Sequence, residues 1–296
     1  MDTTLLRSFL EVADAGTLSA AARQLGMSQP SLTAQVQRLE ASIGARLFVR
    51  HARGVTLTEA GAALVPRARR ILDTVRETEV AVRGEQAAVS ATLRVGAIPT
   101  VAPYVLPGAV QRLRARHGPG VRVELREDYS AVLAKLLLDG ALDVVIAAVP
   151  YAFEHLDVEL IGTDALVVAV PSAHAAARAG RITLAQLRES PAVTLDPAHC
   201  LGEQIEGFCA SRHVRQPVVC RSAQLATVFE LVGAGVGVSI VPAMAAVRYN
   251  TPWCAYLPLS DQVLQREIVA VWRKEVGRSV VAEEFVAGVG EVVRGG

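Results

Sequence analysis

Apolar residues recur at helical spacing from the start of the chain. Leu6, Phe9, Leu10 and Ala13 share one face of a helix that Gly16 stops. Thr17 opens a short second helix with Leu18, Ala21, Ala22 and Leu25 inward. Gly26 and Met27 then make a turn, Ser28 caps, and Pro30 enters the first turn of a third helix whose inner face is Leu32, Val36, Leu39 and Ile43. Two helices joined by a tight glycine turn predict a helix-turn-helix. Residues Leu47 to Thr56 alternate apolar and polar around Arg50 to Gly54, which predicts a small β-wing. Thr58 caps a long helix predicted to run to about Gln86. Along it Leu64, Ala68, Ile71, Val75, Thr78 and Val82 are spaced 4, 3, 4, 3, 4, a heptad seam that calls for a partner helix rather than packing on its own domain. Pro66 removes one backbone bond there and predicts a kink.

From Thr92 the texture changes. LRVGAI, a helix from about Val105 to His117, VRVELRE, a helix over Tyr129 to Asp139 and DVVIAAV follow in βαβαβ order, which implies a mostly parallel sheet with helices on both faces. A second set occupies about Thr163 to Leu264, IVAVWR reads as a further strand, and a helix from Val280 closes the chain. Two α/β lobes are the economical solution. The weakly charged run Leu225 to Val247 contains Glu230, three glycines and Pro242; it reads as a helix ending at glycines and a strand over Val236 to Val241, not as a membrane span.

Composition narrows the class. The chain has 296 residues, 51% apolar but only 4% aromatic, which suits a two-domain α/β protein built on Ala, Val and Leu. Net charge is +1, and residues 1 to 60 hold six Arg against five acidic residues, so any nucleic-acid surface must be local. The first sixteen residues carry Asp2, Glu11 and Asp14 and lack the pattern of a secretory signal. Four cysteines are no disulfide framework, so the expected compartment is the reducing cytoplasm, where a disulfide would act as a switch.

The third helix must present polar residues opposite its apolar stripe. Gln29, Pro30, Thr33 and Gln37 share such a flank. Gln29 can read an adenine edge bidentately, and Pro30 and the Thr33 methyl can meet thymine methyls. The stretch FLEVADAGTLSAAARQLGMSQPSLTAQVQRLEASIGARLFVRHARGVTLTEAG is very similar to the DNA-binding domain of LysR-type transcriptional regulators, and VGAGVGVSIVP extends the resemblance into the sensing domain. The resemblance implies an N-terminal winged helix-turn-helix (1–58), a linker and dimerisation helix (59–88) and a C-terminal two-lobed α/β sensing domain like periplasmic binding proteins (92–296). It places the third helix, with Gln29, Pro30, Ser31, Thr33 and Gln37, in the major groove, and the wing arginines Arg50 and Arg53 near the backbone or minor groove.

A second constellation is His199-Cys200-Leu201-Gly202-Glu203-Gln204-Ile205-Glu206-Gly207-Phe208-Cys209. It resembles the redox segment of the OxyR subfamily of peroxide sensors, in which a peroxidatic cysteine follows a histidine and a resolving cysteine lies nine residues on. The resemblance carries over Thr100, in IPTVAPYVLP, as a polar partner for peroxide, Arg266 as an arginine near the reactive sulfur, and Ser130 in place of a threonine. Gly202 departs from the arginine usual there, and Cys220 and Cys254 have no role in the pattern. Only a thiolate is nucleophilic, and Arg266 or a hydrogen bond from His199 would lower the Cys200 pKa. Attack on peroxide would give a sulfenic acid that Cys209 condenses with, remodelling the segment if the two begin apart.

Other readings stay open. Thr100, Ser130 and Thr227 would equally line a cleft for a small organic or inorganic effector between the lobes. His199, Cys200, Cys209 and His213 could ligate a metal, but the lone C-x8-C spacing lacks the paired knuckles of a zinc site, so no metal is assigned. Cys200 with His199 is the only nucleophile-base pair, and on a strand consecutive residues point to opposite faces; with no G-x-G-x-x-G or Walker loop, neither an enzyme nor a cofactor is expected. The expected partners are double-stranded DNA with a pseudo-palindromic operator, further copies of the chain in a tetramer, a small effector such as hydrogen peroxide, and RNA polymerase, with no membrane.

Overall fold

A computed structural model describes residues 2–51, 54–83, 91–260, 263–274 and 276–295. The chain divides into two compact units: Met1–Thr92 with Pro119–Arg122 and Leu138–Ala141, and Leu93–Gly118 with Val123–Leu137 and Leu142–Gly296. Among the described residues no helix is long and apolar enough to cross a membrane.

In the first unit α1 (Thr3–Ala15) ends on Gly16 in the left-handed region, α2 (Leu18–Gln24) begins where Thr17 accepts the Ala20 amide, and α3 (Gln29–Ile43) begins where Ser28 accepts the Ser31 amide. These are the stops and caps that the sequence signals. Leu6, Phe9, Ala21, Leu32, Val36 and Leu39 form the centre of its core. Ile43 is not part of it: at the last position of α3 it is 37% exposed. The antiparallel wing consists of β1 (Phe48–His51) and β2 (Gly54–Leu57). Glu40 anchors it from α3, its carboxylate accepting the amides of Leu47 at 2.7 Å and Phe48 at 3.3 Å.

The long helix α4 (Glu59–Arg83) continues through Pro66, and Thr58 caps it by accepting the Gly61 amide. Its predicted end near Gln86 and the Val82 side chain lie outside the described residues. The predicted seam splits. Ala68 is buried in the unit's own core, with Leu64, Val65 and Leu72 packed against it, while Ile71 and Thr78 are exposed. The first half of the seam is therefore spent within the unit, because α1 lies alongside, with Arg69 pairing to Asp14 at 2.6 Å.

The second unit begins with β3 (Ala91–Ala97), α5 (Ala102–His117), β4 (Val121–Glu127), α6 (Ser130–Leu138) and the fully buried β5 (Val144–Ala148). Then β6 (Leu156–Pro171) runs without a break for 16 residues. The second lobe follows as α7 (Ala175–Ala179), α8 (Leu184–Glu189), β7 (Ala192–Leu195), α9 (Cys200–Ser211), β8 (Val218–Ser222), α10 (Leu225–Gly233), β9 (Ser239–Pro242), α11 (Ala243–Arg248) and β10 (Cys254–Leu257). The strand β11 (Leu264–Arg273) and the helix α12 (Val280–Gly295), which packs on α5, close the unit.

The main sheet has the order β10-β6-β11-β5-β3-β4, with β9 also on β6, and β7 and β8 form a parallel pair of their own. A mostly parallel sheet is not what forms. β3 and β5 are parallel, but β11 runs antiparallel to both β5 and β6, and β6 antiparallel to β9 and β10. The reason is that β6 and β11 are long enough to serve both lobes, so each returns through the sheet that the other leaves. The glycine-ended helix of the Leu225 to Val247 run is α10, but its strand starts at Ser239, leaving Val236 38% exposed in the turn.

Glu40→Ala should remove two hydrogen bonds to a charged acceptor and destabilise the first unit by about 2 kcal/mol. The check is urea unfolding followed in parallel by circular dichroism and tryptophan fluorescence. Both tryptophans, Trp253 and Trp272, belong to the second unit, so the fluorescence transition should stay where it is while part of the dichroism is lost earlier.

Candidate functional site

Arg266 is the most deeply buried charge in the second unit, 1% exposed on β11. A guanidinium stays protonated, so each buried N–H needs an acceptor. Arg266 Nε donates to Asp164 Oδ2 at 3.0 Å, and Nη2 lies 2.9 Å from the same carboxylate and donates to the Thr100 carbonyl at 2.9 Å. Nη1 donates to Thr100 Oγ1 at 2.9 Å. Because a guanidinium cannot accept, the Thr100 hydroxyl keeps its own proton to donate elsewhere. Thr100, 1% exposed, stands just before α5.

Cys200 is the first residue of α9, with His199 at the cap position. The pair therefore opens a helix and does not lie on a strand. His199 is buried; its Nε2 donates to the Ala223 carbonyl at 2.9 Å, and its ring meets Tyr129 edge-on at 4.7 Å. That hydrogen bond commits Nε2, the ring's proton donor, to the backbone. Ser130, at the start of α6, has a fully buried hydroxyl with no nitrogen or oxygen partner among the described residues, and it is close enough to the Cys200 sulfur to favour the thiolate.

Burial pushes the Cys200 thiol above its ordinary range; the charge of Arg266, the Ser130 hydroxyl and the amides of Leu201 and Cys200 all pull the other way and are outweighed. Arg266 thus acts in the expected direction, lowering the Cys200 pKa, but burial outweighs it, and His199 is not among the groups that act on the thiol. Asp164 already pairs the guanidinium, and the half-buried sulfur loses more solvation than these neighbours restore.

A cavity of about 100 Å³ adjoins this cluster, lined among others by Thr100, Tyr104, Glu127, His199, Leu225 and Tyr249. Of the three hydroxyls expected to share a cleft, Thr100 lines it, Ser130 is buried beside Cys200, and Thr227 is exposed on α10. Burial raises the Tyr104 phenol to about 12, so it is a neutral donor in this wall.

Cys209 lies on the same helix as Cys200. Nine residues of α-helix are about 13.5 Å and two and a half turns, so the two sulfurs leave opposite faces. They can share neither a bond nor a metal ion while α9 stands. Leu201 and Gly202 are the fully buried residues of α9, and Ile205, Phe208 and Cys209 pack half-buried against the core of the lobe. A Cβ at Gly202 would stand 2.4 Å from the Asp196 carbonyl, so this packing has no room for the arginine expected there. Gly207 is exposed with open space around it, and an interior glycine weakens a helix by about 1 kcal/mol against alanine. Of the other cysteines, Cys220 is half-buried on β8 and Cys254 is buried on β10 against the Phe229 carbonyl.

In the first unit Gln29, Pro30, Ser31, Gln37 and Arg50 are exposed and Thr33 is half-buried. Arg53 lies outside the described residues. The Ser19 hydroxyl donates to Gln29 Oε1 at 2.9 Å, and the Ser31 hydroxyl meets that of the cap residue Ser28 at 2.8 Å. Gln37 and Arg50 line an open hollow of about 780 Å³ between α3 and the wing.

Sequence reasoning missed Asp164 and Tyr129. A lone carboxylate before the apolar run of β6 was a signal for Asp164, but its partner lies 102 residues away. Tyr129 is the first residue of the predicted helix, where nothing local marks it; in the structure it stands just before α6 and meets the His199 ring.

Residues 86–294 match the LysR substrate binding domain, and residues 3–62 match the bacterial regulatory helix-turn-helix proteins of the lysR family. A probable hydrogen peroxide-inducible genes activator of Mycobacterium avium is 32% identical over 97% of this chain and 93% of its own. Full-length OxyR from Pseudomonas aeruginosa, with a cysteine replaced by aspartate, superposes with a TM-score of 0.76 at 26% identity, covering 99% of this chain and 97% of that one. A cysteine-to-serine mutant of Corynebacterium glutamicum OxyR with hydrogen peroxide bound gives 0.68 at 31% identity, over 99% and 94%.

With the thiol raised by burial, its thiolate fraction should climb about tenfold per pH unit through the neutral range. Site-resolved iodoacetamide labelling of the reduced protein should therefore accelerate at Cys200 from pH 6.5 to 8.5 without levelling. A plateau below pH 7 would mean that the thiolate is already present at rest.

Proposed function

The chain belongs to the LysR family of bacterial helix-turn-helix regulators, and from that premise we propose that it regulates transcription by sensing hydrogen peroxide through Cys200 and a Cys200–Cys209 disulfide. The observation that carries the reading is the placing of both cysteines on one short helix, about two and a half turns apart.

The chemistry balances with the groups present. Cys200 sulfur attacks one peroxide oxygen, the O–O bond breaks, and the thiol proton leaves with the other oxygen as water, giving Cys200–SOH. The Thr100 and Ser130 hydroxyls are the donors available to hold the oxidant, and Arg266 fixes Thr100. The Cys209 thiol then attacks the sulfenic sulfur, and the S–OH oxygen leaves as a second water. Bridged Cα atoms sit only about 5.5 to 6 Å apart, so the second step requires α9 to unwind. A two-electron oxidation is thereby converted into the loss of a helix, which the lobe must absorb by repacking.

A second reading has its own observation. The cavity beside Thr100 and His199 does not include Cys200 in its lining, and a small effector there would act without thiol chemistry. At about 100 Å³ it suits a molecule of a few heavy atoms, well short of the roughly 300 to 1,000 Å³ of pockets for larger organic ligands.

On the DNA side, Gln29, Pro30, Ser31, Thr33 and Gln37 are the base-facing set, and Arg50 and Arg53 are the wing's phosphate or minor-groove contacts. The Ser19 hydrogen bond leaves Gln29 Oε1 a second lone pair and its amide N–H groups free for an adenine edge. The sensing protein is a cytoplasmic, non-enzymatic tetramer on a pseudo-palindromic operator, with RNA polymerase as its further partner.

Near-stoichiometric peroxide on the reduced protein should give a Cys200–Cys209 disulfide by mass spectrometry of non-reduced peptides, reversible by dithiothreitol and absent from Cys200→Ser. Slow, unselective oxidation of all four cysteines would instead favour the cavity effector. Gly207→Ala should leave sulfenate formation unchanged and slow disulfide closure by about fivefold, the factor that corresponds to about 1 kcal/mol of added helix stability.

Gln29→Ala should relax base preference in an operator footprint. Arg50→Ala should weaken binding to every sequence and flatten its salt dependence. Equal effects of the two variants on cognate and scrambled DNA would remove the division of roles.

A further inference from the structure

Gln29, the first residue of the recognition helix, is tied to the helix before it: the Ser19 hydroxyl on α2 donates to Gln29 Oε1 at 2.9 Å. Local structure brings the two together. Thr17 caps α2 by accepting the Ala20 amide, so Ser19 stands in a fixed first turn. The chain leaves α2 through Gly26 in the left-handed region, with the Gly26 amide returning to the Arg23 carbonyl and the Met27 amide to the Ala22 carbonyl. Ser28 then caps α3. The first turns of both helices are thus set by their own caps and by the turn between them, and the Ser19 to Gln29 bond spans them.

A serine hydroxyl has a single proton to give. Given to Gln29, it is not available to a DNA phosphate, which only accepts, although the helix before a recognition helix is where the DNA backbone passes. What the bond does instead is orient. A bidentate contact with adenine needs the amide in the plane of the base, its oxygen towards the N6 amino group and its nitrogen towards N7. A glutamine free to rotate reaches the same edge in other poses that keep only one of the two bonds. A lone N–H donor is served equally well by guanine, whose N7 and O6 both accept. Holding Oε1 from the α2 side removes those poses before the duplex arrives, while the amide N–H groups stay free.

We propose that Ser19 is a positioning residue for base recognition: it fixes the Gln29 amide for adenine and so sets specificity at one base pair without contacting the DNA backbone. The proposal rests on Gln29 reading a base edge. Both side chains are exposed, so a duplex can reach the pair, and Ser19→Ala puts a better helix former on the surface and keeps the fold.

The test selects sites from a pool of random-sequence duplex DNA with the full-length protein. It then measures base preference along the selected site for wild type, Ser19→Ala, Ser19→Thr, Gln29→Ala and the double variant. Gln29→Ala should lose about tenfold or more of the adenine preference at one base pair. Ser19→Ala should lose about fivefold at that same base pair, the factor for one neutral hydrogen bond, with the salt dependence of binding unchanged. Ser19→Thr, which keeps the hydroxyl, should stay close to wild type. The double variant should lose no more than Gln29→Ala, because without the amide the hydroxyl has nothing to orient.

A Ser19→Ala variant that binds selected and scrambled duplexes more weakly by the same factor makes the hydroxyl a backbone contact and overturns the proposal. Additive losses in the double variant do the same, since Ser19 would then act on DNA by itself. A Ser19→Ala profile that matches wild type, while Gln29→Ala loses its base pair, leaves Gln29 as a base reader and removes Ser19 from the recognition. An unchanged Gln29→Ala profile removes the base-reading role of Gln29 itself, and the proposal falls with it.

Discussion

The second unit is organised around a charge that cannot be neutralised. Arg266 cannot lose its proton, and at the crossing of β6 and β11 it has no water to turn to. Its donors must therefore be met by protein, and they are met from two directions, by Asp164 across the sheet and by both the hydroxyl and the carbonyl of Thr100. That requirement fixes the loop before α5, commits the Thr100 proton outward, and ties the first turn of α11 to β6 through the second Asp164 oxygen. Each later feature of the site inherits a position from this pair.

The thiol then follows from burial more than from charge. Cys200 opens α9 beside Ser130, where the groups that favour the thiolate are an ion-paired arginine, a hydroxyl and two backbone amides, and loss of solvation outweighs them. Reactivity in such a site is conditional on what enters it. The buried Ser130 hydroxyl, which has no nitrogen or oxygen partner among the described residues, and the uncommitted Thr100 proton are the polar features that an incoming small molecule would meet. The helix α9 has Leu201 and Gly202 fully buried in its first turn, Ile205, Phe208 and Cys209 half-buried against the core, an exposed glycine in its interior, and two cysteines that the helix itself keeps apart. In the proposed switch the stability of α9 therefore opposes disulfide closure.

In the first unit the order of dependence is different. Its helices are bounded by local caps and stops, and the link from recognition helix to wing is one carboxylate, Glu40, accepting two amides at the entry to β1. The half of α4 nearest the core is held by the unit's own apolar residues, and beyond Ala68 Ile71 is exposed. The heptad spacing therefore described two surfaces in succession, one buried within the unit and one left outward.

Local signals were enough for much of this. Gly16, Thr17, Ser28 and Thr58 delimit helices because caps and left-handed glycines act within a turn of where they occur, and the alternation of 47–56 marks the wing for the same reason. The resemblance of the His199-Cys200 to Cys209 segment to a redox segment singled out the two cysteines, and Gly202 was visible as a departure. What the sequence could not determine is whatever depends on residues distant along the chain. Only the tertiary structure decided that β6 and β11 run antiparallel through both lobes, that Cys200 begins a helix, that Thr227 faces solvent while Thr100 is buried, and that Asp164 meets Arg266. Protonation belongs to the same class. A cysteine next to a histidine, with an arginine matched to it, looks activated on paper, yet burial in the fold pushes the thiol up by more than the arginine pulls it down, and the carboxylate that holds the arginine is distant along the chain. Both are properties of three-dimensional packing, and neither is written in the neighbours of Cys200 along the chain.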